Sequence, residues 1–219
     1  MIANGAAALD RFSREALVEL APLLRRAQHL DTRALARLRV GGGRATALVR
    51  LPFGVLVARS VEHPPGAPLD VCVRAADALA FLDGGLEGLP AARDVEWRGG
   101  LPPQADWQAV ESVPDDVIRP LVRSGAAALQ QAAEQEGVPG AQPRAQVADA
   151  LLDFTVLTVA DDAGRQAQVS LRAVSALTRM GFLPRGGRAR VDVAGRWVRL
   201  VAEYGTVYLE RPGSGLLLR

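Results

Sequence analysis

The strongest constraint on the fold is a set of three short alternating runs at 188–193, 196–203 and 206–211, separated only by Ala194-Gly195 and Tyr204-Gly205. Runs of this length with two-residue breaks form an antiparallel meander, because nothing longer than a hairpin loop joins them. Side chains alternate across a strand, so each run has an apolar and a polar face. Ala189, Val191, Val193, Val198, Leu200, Ala202, Val207 and Leu209 mark a core face. The other face carries Arg188, Arg190, Asp192, Trp197, Arg199, Glu203, Tyr208 and Glu210. With loops at 194–195 and 204–205, Arg190 falls opposite Arg199 and Arg199 opposite Glu210. Like charges in a cross-strand pair are destabilising unless an anion sits between them. Glu210, a phosphate or a partner's carboxylate would fill that role. Arg188, Arg190, Trp197, Arg199 and Tyr208 are therefore the candidate anion- or partner-binding residues. Neither Ala nor Tyr favours positive φ, and a one-residue slip would exchange the two faces.

The same logic extends upstream. Residues 154–160 are β-branched and alternating, Asp161, Asp162 and Gly164 supply turn chemistry, and 166–169 form a return strand. Ser170 is placed as an N-cap, Val174, Leu177 and Met180 recur at helical spacing, and Gly181 stops the helix. At the other end, 10–30 reads as an amphipathic helix that Pro22 would kink. Strands follow at 35–40, 45–51 and 55–61, turning at the three glycines 41–43 and around Pro52-Phe53-Gly54. Residues 69–73 form a strand running into a helix at 74–82, and 94–98 and 107–113 are further strands. Ser112 with Asp115 is a helix-start signature with Pro114 in the first turn. A long helix to about residue 136 and another at 144–153 complete the chain. The stretch 69–79 repeats weakly at 167–177, which suggests two related strand–helix units. The expected class is α+β, with antiparallel meanders packed against helices. The halves divide as 1–105 and 106–219, unless the two form one compact domain.

Several stretches carry a resemblance: 50–57 (Arg-Leu-Pro-Phe-Gly-Val-Leu-Val), 97–103 (Trp-Arg-Gly-Gly-Leu-Pro-Pro), 179–183 (Arg-Met-Gly-Phe-Leu) and 195–198 (Gly-Arg-Trp-Val). They resemble a family of conserved, uncharacterised proteins of high-GC Gram-positive bacteria. The resemblance spans most of the chain and implies no activity, cofactor or binding residue.

Composition excludes several chemistries. All 26 basic residues are Arg. A phosphate loop of the Walker type, a Schiff-base enzyme and a protein kinase each need a Lys, so these classes fall away. Cys72 is the only cysteine, which rules out an intrachain disulfide and a cysteine zinc cluster and suits a reducing, cytoplasmic compartment. Neither a signal peptide nor a membrane span is expected. His29 and His63 leave little room for His-dependent catalysis. Ser60, His63 and Asp70 can be written as a triad, but no nucleophile elbow accompanies them. The acid pairs 115–116 and 161–162 have structural reasons at a helix start and in a turn. No cofactor and no metal are expected, and the chain reads as non-enzymatic.

Charge is uneven. Residues 1–50 hold nine Arg against four acids, and 165–219 hold ten against three, whereas 101–164 hold three against ten. Basic ends with an acidic middle suit either an internal fit or an anionic partner. The favoured reading is an interaction protein that binds a protein partner or self-associates. The alternative is a nucleic-acid binder using arginines of both terminal regions, since Arg bonds phosphate bidentately and stacks on bases.

Overall fold

The computed structural model describes residues 12–85, 90–134 and 141–211. The chain divides into two compact units, Met1–Leu101 and Pro102–Arg219. The fold is α+β, with antiparallel strand pairing throughout both units.

In the first unit, helix α1 (Arg14–Leu30) buries Leu17, Leu20, Leu24 and Ala27 along one stripe. Ser13 caps it by accepting from the Ala16 N–H at 3.1 Å, so the helix begins at Arg14. Pro22 lies inside an unbroken helix. It and Val18, whose carbonyl loses its donor, both face solvent, where water replaces that bond. Strands β1 (Leu35–Gly41), β2 (Arg44–Arg50) and β3 (Leu56–Glu62) form the expected meander. The β1–β2 loop is Gly42-Gly43 with φ of +59° and +72°, a two-residue turn that only glycine enters without strain. Strand β4 (Leu69–Arg74) returns along the Pro-rich loop to pair with β1, giving the order β4-β1-β2-β3. It runs directly into α2 (Ala75–Leu82).

Residues 94–98 are not a strand. Asp94–Glu96 is a short 3-10 turn. The Cys72 N–H donates to the Asp94 carboxylate at 2.9 Å and the Cys72 carbonyl accepts from the Arg93 N–H at 2.7 Å. A side chain thus takes the place of a ladder partner, and pairing cannot propagate beyond one residue.

In the second unit, β5 (Gln108–Pro114) runs straight into α3 (Asp115–Glu134). Ser112 and Pro114 lie in the strand rather than in the helix cap, because the strand Arg188–Ala194 pairs with β5 through to Pro114. Helix α4 (Ala141–Asp153), the hairpin β6 (Thr155–Ala160) and β7 (Gln166–Ser170), and helix α5 (Leu171–Arg179) follow. Ser170 occupies the N-cap position, but its hydroxyl makes no cap bond and is buried without a partner. The meander β8 (Arg188–Ala194), β9 (Trp197–Ala202) and β10 (Gly205–Glu210) gives the order β10-β9-β8-β5. The two weakly repeated stretches do both run from a strand into a helix, as β4–α2 and β7–α5. β4 is an edge strand of its sheet, and β7 is half of a hairpin.

Both meander loops lie one residue further on, or one back, from the expected positions. Ala194 pairs with Trp197, so the first loop is Gly195-Arg196, with Gly195 at φ +53°. Gly205 pairs with Ala202, so the second is Glu203-Tyr204. Moving a loop by one residue moves each cross-strand partner by two. Every side chain therefore keeps its expected face while its neighbours change. The first loop moved because glycine is needed where φ is positive. The second moved because Gly205 serves another purpose: a Cβ there would lie 2.6 Å from the Phe182 ring.

Phe182 is fully buried, and Leu171 is buried, with its side chain 2.3 Å from where a Cβ on Gly125 in α3 would lie. Neither neighbour has room to retreat. Gly205→Ala and Gly125→Ala are each expected to destabilise the protein by about 1–3 kcal/mol, the helix-propensity gain at position 125 notwithstanding. The readout is a lower urea midpoint at unchanged m-value.

Candidate functional site

Asp192 organises the polar face of the second unit's sheet. It is opposite Arg199 in the ladder, and its side chain is 1% exposed. A carboxylate buried this far needs charged donors. Arg190 Nε and Nη2 donate to its two oxygens at 2.7 and 3.0 Å, and Arg199 Nε donates at 2.7 Å. Burial alone pushes the Asp192 carboxyl up. The bonds from Arg190 and Arg199, with their charges, outweigh it and hold the group below the ordinary carboxylate value.

The anion between the two arginines is therefore Asp192 and not Glu210, and Arg190 faces Val201 rather than Arg199. Glu210 pairs with Arg196 across the sheet. The guanidinium of Arg199 lies 4.3 Å from the centroid of the Trp107 ring, close enough for a cation–π contact. Trp107 in turn tilts against Tyr208 with centroids 5.8 Å apart, and its indole N–H donates to the Pro103 carbonyl at 2.8 Å. Asp106, just before it, takes φ +64° to present the ring. Burial raises the Tyr208 phenol above its ordinary value, and Arg199 opposes that shift.

Of the five candidates from sequence, Arg190, Arg199 and Tyr208 come together here. Arg188 is exposed but turned to Ser112, donating to its hydroxyl and its carbonyl at 3.0 and 2.6 Å. Trp197 is buried at 7% exposure and offers no surface flank. Trp107 was missed. It precedes the strand it was assigned to, and no local pattern tells that a loop will fold its ring back over β9.

The first unit carries a parallel arrangement that sequence reading also missed. Arg37 donates to both oxygens of Asp70 at 2.6 and 2.9 Å, and Arg39 approaches the same carboxylate at 3.3 Å. Arg37 lies 5.8 Å from the Trp97 ring. The residues come from β1, β4 and the 3-10 region, so their meeting depends on β4 pairing with β1.

The serine-triad possibility fails on geometry. His63 Nε2 accepts from the Ser13 N–H at 3.1 Å, which leaves the proton on Nδ1 to donate to the Pro64 carbonyl at 2.7 Å. Ser60 bonds Thr46, and Asp70 is held by Arg37. Asp115 and Asp161 are bonded to Arg119 and Arg165. Those bonds hold both carboxyls below their ordinary value. Among the described residues, no group of three or more His, Cys, Asp or Glu converges to hold a metal. No helix among them is long and apolar enough to cross a membrane.

Residues 102–214, just over half of the chain, match the model of a family described as a domain of unknown function, DUF8185. The chain belongs to that family. Residues 6–99 match a second domain of unknown function, DUF8010. No curated protein matches the sequence. Similar solved structures are DNA polymerase sliding clamps. That of Bacillus subtilis has a TM-score of 0.56 at 10% identity, over 90% of this chain and 62% of the clamp. That of Caulobacter crescentus has a TM-score of 0.54 at 11% identity, over 94% and 63%. The DNA polymerase III subunit beta of Pseudomonas aeruginosa has a TM-score of 0.53 at 12% identity, over 91% and 63%. At these identities the likeness is one of fold, and the chain spans less than two thirds of the length of each of these proteins.

Two outcomes follow from the side-chain geometry. Because the folded-state value of Asp192 is lowered, the stability it contributes is present above its unfolded value and is lost as pH falls through its folded value. Unfolding midpoints should therefore fall in acid, and Asp192→Asn should flatten that dependence while destabilising the protein by roughly 1–3 kcal/mol at neutral pH. Cys72 is fully buried, and desolvation pushes its thiol up to about 12. A maleimide or disulfide reagent should leave it unmodified in the native protein and react promptly in denaturant.

Proposed function

We propose that the chain is a non-enzymatic binding protein whose partner is another protein, a second copy of itself first among them. The contact falls on the face made by Trp107, Tyr208, Arg190 and Arg199. The carrying observation is the Asp192 clamp. It fixes two guanidiniums on a rigid sheet and stacks one beneath an indole. Trp, Tyr and Arg are the types that dominate the energy of protein interfaces, and preorganised side chains lose little entropy on docking. Arg190 keeps half of its side chain in solvent. The clamp argues against phosphate as the ligand, since an incoming phosphate meets a carboxylate that already spends both cations.

The similar solved structures supply a second reading. They are clamps of DNA polymerase by name. The stretch 165–219 holds ten Arg against three acids, and Arg188 and Arg190 reach solvent. On that reading the chain binds nucleic acid through this face.

One pair of measurements separates the two. Light scattering behind size exclusion, over roughly 1–100 μM protein, should show mass rising with concentration and falling back in Trp107→Ala and Arg190→Ala. Anisotropy of a labelled DNA duplex should show no steep salt dependence. A monomer that binds the duplex at low salt and loses it in Arg190→Ala overturns the protein-partner reading in favour of nucleic acid.

A further inference from the structure

Helix α4 is left unfinished by the fold. Of its described side chains at 146–153, none is fully buried. Val147, Ala150, Leu151 and Phe154 follow the i, i+3, i+4, i+7 spacing of an apolar helix face. At roughly 100° per residue this stripe lies on the side away from Ala148 and Leu152, which are half-buried with α4 packed on α3 and α5. Val147 is 39% exposed and Phe154 is 68% exposed. Phe154 is the most exposed aromatic side chain among the described residues, and its backbone is fixed. Its N–H donates to the Leu151 carbonyl at 3.2 Å, and its carbonyl accepts from the Leu171 N–H at 2.9 Å. A short helix with so little burial is not stable by itself. Beside its packing on α3 and α5, α4 is retained by Arg172 on α5. It is 7% exposed, and it donates to Asp153 at 2.9 Å and to Asp149 at 2.8 Å. Two carboxylates share that one cation, and each remains about two thirds exposed (65% and 64%), on the helix row next to the one that holds Ala150 and Phe154.

We propose that the outward face of α4 is a docking site for a basic amphipathic helix of a partner protein. The apolar stripe takes the partner's apolar face, with Phe154 as anchor. The surplus carboxylate charge of Asp149 and Asp153 takes Lys or Arg on the partner's flank. This charge pattern decides among the possible occupants. A second copy packed antiparallel about a two-fold axis brings the same two carboxylates to one flank, and a phosphate backbone or an anionic lipid surface meets like charge. The site is separate from the Trp107 face, so the two readings stand or fall apart.

The probe is a labelled Leu/Lys peptide of roughly 18 residues, patterned as an amphipathic helix, with a Leu/Glu counterpart of the same pattern. Anisotropy with the full chain should give micromolar binding of the Lys peptide and binding of the Glu peptide weaker by at least about 10-fold. Phe154→Ala should weaken the Lys peptide by about 10-fold or more and Val147→Ser by less. Val18→Ser, at an exposed apolar position on α1, and Trp107→Ala should leave the affinity unchanged. Thermal unfolding confirms that each variant is folded. Equal binding of both peptides, full affinity in Phe154→Ala, or no binding up to about 1 mM overturns the proposal. So does self-association of the chain that Phe154→Ala abolishes.

Discussion

A carboxylate placed inside a sheet face is the constraint around which the second unit is arranged. Asp192 cannot stay ionised at 1% exposure without cations close by, and the ladder sets Arg199 directly opposite while Arg190 lies two residues away on the same strand. Their bonds hold two long side chains flat against the sheet. That gives Trp107 a cationic surface to lie on, and so fixes where the segment leading into β5 runs. Side-chain order on this face and the path of a loop therefore depend on one acid. The arrangement also limits what the face can bind, because the two guanidiniums are neutralised in part before any ligand arrives.

Arg172 plays the corresponding role on the helical side. Burial opposes its charge, but the hydrogen bonds it donates to Asp153 and Asp149 outweigh that and hold its guanidinium above the ordinary value. The result is a helix held by ion pairs at one side and bare at the other. The two units thus use internal ion pairs for much of their charge: Arg37 with Asp70, Arg119 with Asp115 and Arg165 with Asp161 belong to the same pattern. Part of the regional asymmetry of basic ends and an acidic middle is met within each unit, by distant pairs such as Arg37 with Asp70 and Arg172 with Asp149 and Asp153.

The elements were legible because their signals are local. Alternation in β1–β3 and β8–β10, helical periodicity in α1 and α5, and glycine at the loops each act over a few residues. The failures share a different cause. Residues 94–98 have strand composition, but the Asp94 carboxylate occupies the hydrogen-bonding position a strand would need. Ser170 and Ser112 have cap chemistry, yet one hydroxyl is buried without a partner and the other accepts from Arg188. The second meander loop was set by a contact outside the strands, Phe182 against Gly205.

The sequence by itself determined the α+β class, the strand and helix order apart from residues 94–98, and which face of each meander strand is apolar. Side-chain alternation and helical period depend only on neighbours along the chain, and the two-residue shift in pairing left them untouched. It also removed lysine- and disulfide-dependent chemistry by composition alone. Only the tertiary structure decided that Asp192 lies between Arg190 and Arg199, that Trp107 covers one of them, that a second such cluster forms around Asp70, and that α4 is left open to solvent. Each of these depends on residues tens of positions apart meeting at a set distance. The contact energies that choose among such meetings depend on pairing across the sheet and packing between helices, and no local pattern encodes them.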